Sequence, residues 1–123
     1  MPLIDMPLSQ LKTYAGRSPK PRDFDAFWDR QLRGMWAIDP RVELKPADFQ
    51  TSFAECFHLY FDGVADSRIH AKLLRPRKPA AAKGPAILMF HGYSGSSGDW
   101  LDKLGYVAQG FTVAALDCRG QGG

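Results

Sequence analysis

The chain has 123 residues, of which 45% are hydrophobic and 24% charged, enough for one ordinary globular domain of roughly 100–150 residues and short for a complete α/β enzyme. Twelve Gly and nine Pro are spread along it, which excludes collagen, low complexity and wholesale disorder, and no apolar run approaches the roughly 20 residues of a membrane span. Sixteen basic against thirteen acidic residues leave a net charge of +3, too mild an excess to suggest a nucleic-acid partner.

Residues 1–22 are punctuated by Pro2, Pro7, Pro19 and Pro21 and read as a surface arm with one helical turn around Leu8 to Tyr14. No basic stretch followed by an apolar stretch opens the chain, so no export signal is expected and the expected compartment is the cytoplasm. From Asp23 a helix is predicted. Phe24, Phe27, Trp28, Leu32, Met35 and Trp36 recur at spacings of three and four and form one stripe. Asp23 is the expected N-cap, and Asp39-Pro40 ends the segment. The stripe reads as a helix docked on a core by large aromatics, in preference to the wall of a ligand cleft.

Val42-Glu43-Leu44 is a candidate short strand. Cys56 to Phe61 and Arg68 to Leu74 alternate with a period of two around Asp62-Gly63, which predicts a β-hairpin with a rather long tip. His58 and His70 take polar-phase positions without Cys, Asp or Glu at ligand spacing, so they read as exposed strand histidines and not as metal ligands. Four bases, Arg75, Arg77, Lys78 and Lys83, fall in a Pro/Ala-rich connector without interleaved aromatics and read as a solvated loop. Cys56 and Cys118 fit neither a CxxC pair nor a ligand cluster and read as reduced packing residues.

Beyond the connector, Ala86 to Phe90 and Phe111 to Leu116 are continuous apolar runs, the pattern of strands buried on both faces. Between them Asp99 to Gln109 carries Trp100, Leu101, Leu104, Val107 and Ala108, a helix capped by Gly98 or Asp99 and stopped by Gly110. The order β, Gly-rich loop, α, β predicts two parallel strands joined by a right-handed crossover. The loops that follow them, His91 to Gly98 and Asp117 to Gly123, occupy the place where open α/β sheets bind ligands.

Three chemistries compete for the first loop. A dinucleotide fingerprint is disfavoured because the glycine order is G-x-x-G-x-x-G with bulky Tyr93 inside it. A nucleophile elbow is disfavoured because neither Ser94 nor Ser97 has a glycine two residues downstream. An oxyanion-hole loop fits best, since His91-Gly92 directly follows a buried strand and glycine lets amides turn toward a developing charge.

Asp5-Met6-Pro7-Leu8, the Asp23-Phe24-Asp25-Ala26-Phe27-Trp28 helix, His91-Gly92-Tyr93-Ser94-Gly95 and Asp117-Cys118-Arg119-Gly120-Gln121-Gly122 together resemble the cephalosporin-C deacetylase and acetyl xylan esterase family, carbohydrate esterase family seven. The resemblance implies an α/β-hydrolase fold, with residues 1–123 as the N-terminal part of one domain: arm and helix over 1–40, first strands over 41–76, connector over 77–85, and βαβ unit over 86–123. It implies a serine esterase that removes acetyl groups from xylo-oligosaccharides and cephalosporin C, needs no cofactor or metal, and assembles as a homo-oligomer, a hexamer in the family. No nucleic-acid or membrane partner is expected. The backbone N–H of Tyr93 matches the family's oxyanion-hole donor. Arg119, Gly120 and Gln121 match its RGQ triplet and, with His91 and Gly92, are expected to support the site.

The family's GxSQG elbow, its triad Asp and its His-Glu motif have no match in these residues, so the chain by itself is expected to be inactive and the Phe111 to Asp117 strand to present an apolar edge. The alternatives are another α/β-hydrolase, an esterase or peptidase, and a catalytically dead binding or interaction module.

Overall fold

The computed structural model describes residues 6–78 and 83–121; Asp5 and Gly122 of the resemblance and the middle of the connector lie outside them. The chain divides into two compact units, residues 1–33 and 34–123. In the first, Pro7 precedes a single helical turn, α1 (Leu8–Leu11). The second helix, α2 (Phe24–Trp36), begins directly after Asp23, whose carbonyl accepts the Phe27 N–H at 2.8 Å.

The α2 stripe forms as its spacing predicts, and Phe24–Trp28 and Phe27–Trp28 ring centroids lie 6.3 and 5.6 Å apart. No residue of α2 is buried, Trp28 is 48% exposed and Trp36 72%. A three-to-four spacing puts the aromatics on one side of the helix.

The second unit is a five-stranded mixed sheet of β1 (Glu43–Pro46), β2 (Ala54–Asp62), β3 (Arg68–Pro76), β4 (Ala86–Phe90) and β5 (Thr112–Leu116), in the order β1-β2-β3-β5-β4. The predicted short strand and hairpin are present, with Cys56 opposite Leu74 and Tyr60 opposite His70. Beside the hairpin tip Arg68 bonds Glu43 at 2.9 Å and Asp62 at 2.8 Å, tying three strands together. The predicted parallel pair is also present, Leu88 facing Ala114, and α3 (Leu101–Ala108) connects its strands. Gly110, at φ +91°, ends that segment in the left-handed region open to glycine.

The edge is placed differently from the sequence expectation. Because β5 inserts between β3 and β4, it is interior to the described sheet and β4 is the edge, with Leu88 61% and Phe90 63% exposed. The β4 run is therefore not buried on both faces, although its composition is that of such a strand. The connector also reads differently. Arg75 belongs to β3 and bonds Glu55 at 2.7 Å, and Arg77 donates to the Thr51 carbonyl at 2.8 Å. All four bases are exposed, as the solvated reading expects, but Arg75 sits in a strand and not in the connector.

One face of the sheet carries α3. Ala54, Cys56, Leu74, Val107 and Val113 are its buried centre, with Ile87, Met89, Trp100 and Leu104 packed around them. Both cysteines are free thiols, and burial pushes the Cys56 thiol pKa up. The strand alternation that places Cys56 and Val113 on this face also places His58, His70 and Asp117 there, toward the ends of the parallel strands. The face thus changes from apolar to polar along its length.

Candidate active site

Two loops leave the C-terminal ends of β4 and β5, and each contains a tight turn. In the first, the Gly95 N–H donates to the Gly92 carbonyl at 3.0 Å with Ser94 at φ +64°. In the second, the Gln121 N–H donates to the Cys118 carbonyl at 2.9 Å with Gly120 at φ +78°. A positive φ at the third residue alone defines a type II turn, for which glycine is the favoured residue. Ser94 takes that conformation at a cost of roughly 1–2 kcal/mol, and its N–H is held by Gln121 Oε1 at 2.8 Å.

Segment 117–121 grips the first loop at three points. Gln121 accepts from Ser94. The Cys118 N–H donates to His91 Nε2 at 3.0 Å, and His91 Nδ1 faces the Gly92 carbonyl at 2.7 Å. Nε2 accepts and Nδ1 donates, which fixes His91 as the neutral Nδ1–H tautomer. Third, the Asp117 carboxylate accepts the Ser97 N–H at Oδ1 and the Ser97 hydroxyl at Oδ2, the latter at 3.1 Å. Arg119 reaches the other way and donates to the Val64 carbonyl in the hairpin tip at 3.1 Å.

The six residues picked out by sequence lie on these two loops, Arg119 with its side chain turned to the hairpin tip. His91, Gly92 and Tyr93 sit on one turn, and Arg119, Gly120 and Gln121 on the turn that braces it. Tyr93 projects into solvent, 97% exposed, and among the described residues its N–H makes no hydrogen bond. Gly92 has no positive φ and a Cβ there would meet nothing within 4 Å, so its backbone needs no glycine. The crowded position is Gly95, where a Cβ would lie 3.0 Å from the Gly92 carbonyl oxygen and 3.0 Å from the His91 Cβ.

Behind the loops stands a polar group that the sequence reading placed elsewhere. His58 and His70 are not solitary exposed histidines. His58 Nδ1 lies 2.9 Å from His70 Nε2, and His70 Nδ1 lies 2.5 Å from Asp117 Oδ2. Trp100 meets the His58 ring edge-on, with centroids 5.3 Å apart, and Tyr60 packs on His70 at 5.1 Å. Ser97, in the loop after β4, is buried. The usable signal was Cys56. A strand whose apolar Phe57, Leu59 and Phe61 point one way, and whose cysteine points the other, is covered on both faces, and His58 shares the cysteine's face.

Burial alone would raise the Asp117 carboxyl pKa, but the hydrogen bonds from His70 and Ser97 outweigh it and hold the group below its ordinary value. Burial lowers the His58 pKa, assisted by His70 and Lys72 and opposed by Asp48. Lys103 is buried beneath the loop and donates to the Asp99 carbonyl at 2.5 Å; burial lowers its pKa as well. A cleft of about 370 Å³ opens beside Asp117, lined among others by Tyr60, Arg68, His70, Arg119 and Gln121. Among the described residues no three His, Cys, Asp or Glu are grouped to hold a metal ion, and no helix is long and apolar enough to cross a membrane.

Comparison with known proteins bears on this arrangement. The family model for acetyl xylan esterase (AXE1) matches residues 1–123. The chain is similar to the crystal structure of acetyl xylan esterase 1 from Thermoanaerobacterium sp. JW/SL YS485, with TM-score 0.89 and 57% identity over 97% of this chain and 37% of that one. It is also similar to the acetyl xylan esterase from Paenibacillus sp. R4, with TM-score 0.81 and 29% identity over 96% of this chain and 38% of that one. The chain spans less than two-fifths of the length of either.

Proposed function

The chain belongs to the acetyl xylan esterase family, and from that premise we propose that it supplies the oxyanion loop of a serine esterase that removes acetyl groups from acetylated saccharides. Its fold is that of the α/β-hydrolases, as the sequence resemblance implies. In this reading residues 1–123 are the N-terminal part of one hydrolase domain, and the nucleophile and its base come from a C-terminal part. Acyl transfer passes through tetrahedral intermediates whose oxygen becomes negative, and a pre-oriented amide lowers their energy. The Tyr93 N–H has that role here, while Arg119, Gly120 and Gln121 support the turn beside it. Xylo-oligosaccharide and cephalosporin C acetyl esters, a homo-oligomeric assembly and a cytoplasmic setting complete the reading, each by way of the family resemblance.

The observation that carries it is the three-point grip of residues 117–121 on residues 91–97, which fixes both flanks of Tyr93 and leaves its amide unengaged among the described residues. The test joins this chain to the unmatched C-terminal remainder of acetyl xylan esterase 1 and follows p-nitrophenyl acetate hydrolysis. Tyr93→Pro removes the donor and is expected to lower kcat by about 10²–10³-fold. A folded Tyr93→Pro protein with wild-type kcat would remove Tyr93 from the chemistry.

A further inference from the structure

Asp117 ends the strand run that delivers the RGQ turn, and its neighbours form an ordered chain that the esterase reading leaves unused. We propose that His58, His70 and Asp117 are a directional hydrogen-bond relay that positions the Tyr93 loop from behind, with His70 and Asp117 as positioning residues for the acetyl-ester chemistry. The positioning half of this inference rests on the esterase reading; the relay itself does not.

The direction follows from counting donors. The Asp117 carboxylate only accepts, so the His70 nitrogen 2.5 Å away, Nδ1, carries the proton. In neutral His70 the other nitrogen, Nε2, then accepts, and the contact at 2.9 Å requires His58 Nδ1 to donate. Protons therefore point along His58, His70 and Asp117 in turn, while the Ser97 N–H and hydroxyl converge on the same carboxylate. The relay starts on the paired strands β2 and β3, whose register sets Tyr60 opposite His70 and Lys72 opposite His58. It ends at Ser97, four residues past Tyr93. His91 and Gln121 hold the front of the loop, and Asp117 holds its rear. Trp100 and Tyr60 wall the two rings in place, and the side chains of His70 and Asp117 are only 24% and 14% exposed.

A carboxylate needed for its acceptors differs from one that merely fills space. Asp117→Asn keeps the shape and replaces one acceptor by an NH₂ donor. With its oxygen serving Ser97, the NH₂ faces His70 Nδ1, so the His70 proton must move to Nε2, and His58 must then accept at Nδ1 and carry its own proton on Nε2. Both tautomers reverse together.

The first measurement is long-range ¹H–¹⁵N correlation on the ¹⁵N-histidine-labelled chain. Wild type is expected to show Nδ1–H for His58 and His70, and Asp117→Asn to show Nε2–H for both. A wild-type His70 proton on Nε2, or tautomers unmoved by Asp117→Asn, would overturn the relay. The second measurement uses the chain joined to the remainder of acetyl xylan esterase 1. His70→Leu and Asp117→Asn are expected to lower kcat by roughly 10–10²-fold, the scale of an ångström-level misplacement, with KM within about twofold. His70→Asn keeps an N–H near the Nδ1 position and is expected to stay within about threefold of wild type. Equal losses for His70→Leu and His70→Asn would overturn the positioning role. If His70→Leu fails to fold, Asp117→Asn decides: unchanged kcat overturns positioning, and a loss in kcat alone supports it. A wild-type joined protein without esterase turnover would instead overturn the esterase reading, and the tautomers would still judge the relay.

Discussion

Helix α2 and the polar end of the sheet make opposite use of their side chains. Along α2, Phe24, Phe27, Trp28, Met35 and Trp36 share one face and all are exposed; their contacts include each other and cations such as Lys20, whose Nζ lies 5.1 Å from the Phe24 ring. Where β2, β3 and β5 end, two histidines, a serine and an aspartate are half-buried or buried, and every one is hydrogen-bonded. Apolar area stabilises a fold only when something removes it from water, whereas a polar cluster in which each donor meets an acceptor can be covered at little cost. Position in the fold, more than residue type, decides which of these groups this chain depends on.

That contrast can be broken by substitution, read as urea-unfolding free energy of the chain. The largest loss is expected in the covered apolar part of the same sheet face. Leu74 is fully buried, and Leu74→Ala should cost about 2–5 kcal/mol. Next comes Asp117→Ala, which strands the His70 and Ser97 donors and should cost about 1–3 kcal/mol. A loss from Asp117→Ala equal to that of an exposed residue would show the cluster to be ornamental.

The pH dependence sharpens the same point. Folding lowers the His58 pKa from its ordinary 6.5, so below that value the unfolded chain binds more protons and stability falls as pH drops through the folded pKa. The groups around His58 agree with this sign: His70 and Lys72 disfavour its charge, Asp48 favours it more weakly, and the Trp100 ring edge adds no charge. Asp117 works in a lower window. Its folded pKa lies below the ordinary 3.8, so its contribution is intact above that value and is lost as pH falls through the folded pKa. His58→Gln is expected to flatten the decline between about pH 7 and pH 5 and to leave the more acidic decline in place. An unchanged slope between pH 7 and 5 would exclude His58 as its source. The smallest effect belongs to α2, where Trp28→Ser should stay within about 0.5 kcal/mol. A loss of 2 kcal/mol or more, on the scale of a core deletion, would mean that the aromatic face is covered after all.

Much of this arrangement was legible in the residues. Alternation around Asp62-Gly63 announced the hairpin, and two apolar runs flanking an amphipathic segment announced the parallel pair. His91-Gly92 and Arg119-Gly120-Gln121 marked the two loops that meet. Periodicity assigns residues to faces, and chain order assigns loops to strand ends. Neither says what lies opposite a face. For that reason the α2 stripe was expected to be covered, His58 and His70 were expected to face water, and β5 was expected at the edge that β4 occupies. Asp117 was visible as the acid directly after β5, but its partner His70 is 47 residues earlier in sequence, and only the β3–β5 pairing brings them together.

The measurement that bears most directly on the central claim compares two purified proteins for p-nitrophenyl acetate hydrolysis: the homogeneous 123-residue chain, and the same chain joined to the C-terminal remainder of acetyl xylan esterase 1. A chain that supplies an oxyanion loop and no nucleophile predicts turnover by the joined protein and none by the chain alone. Turnover by the chain alone, or a folded joined protein without any, would contradict it.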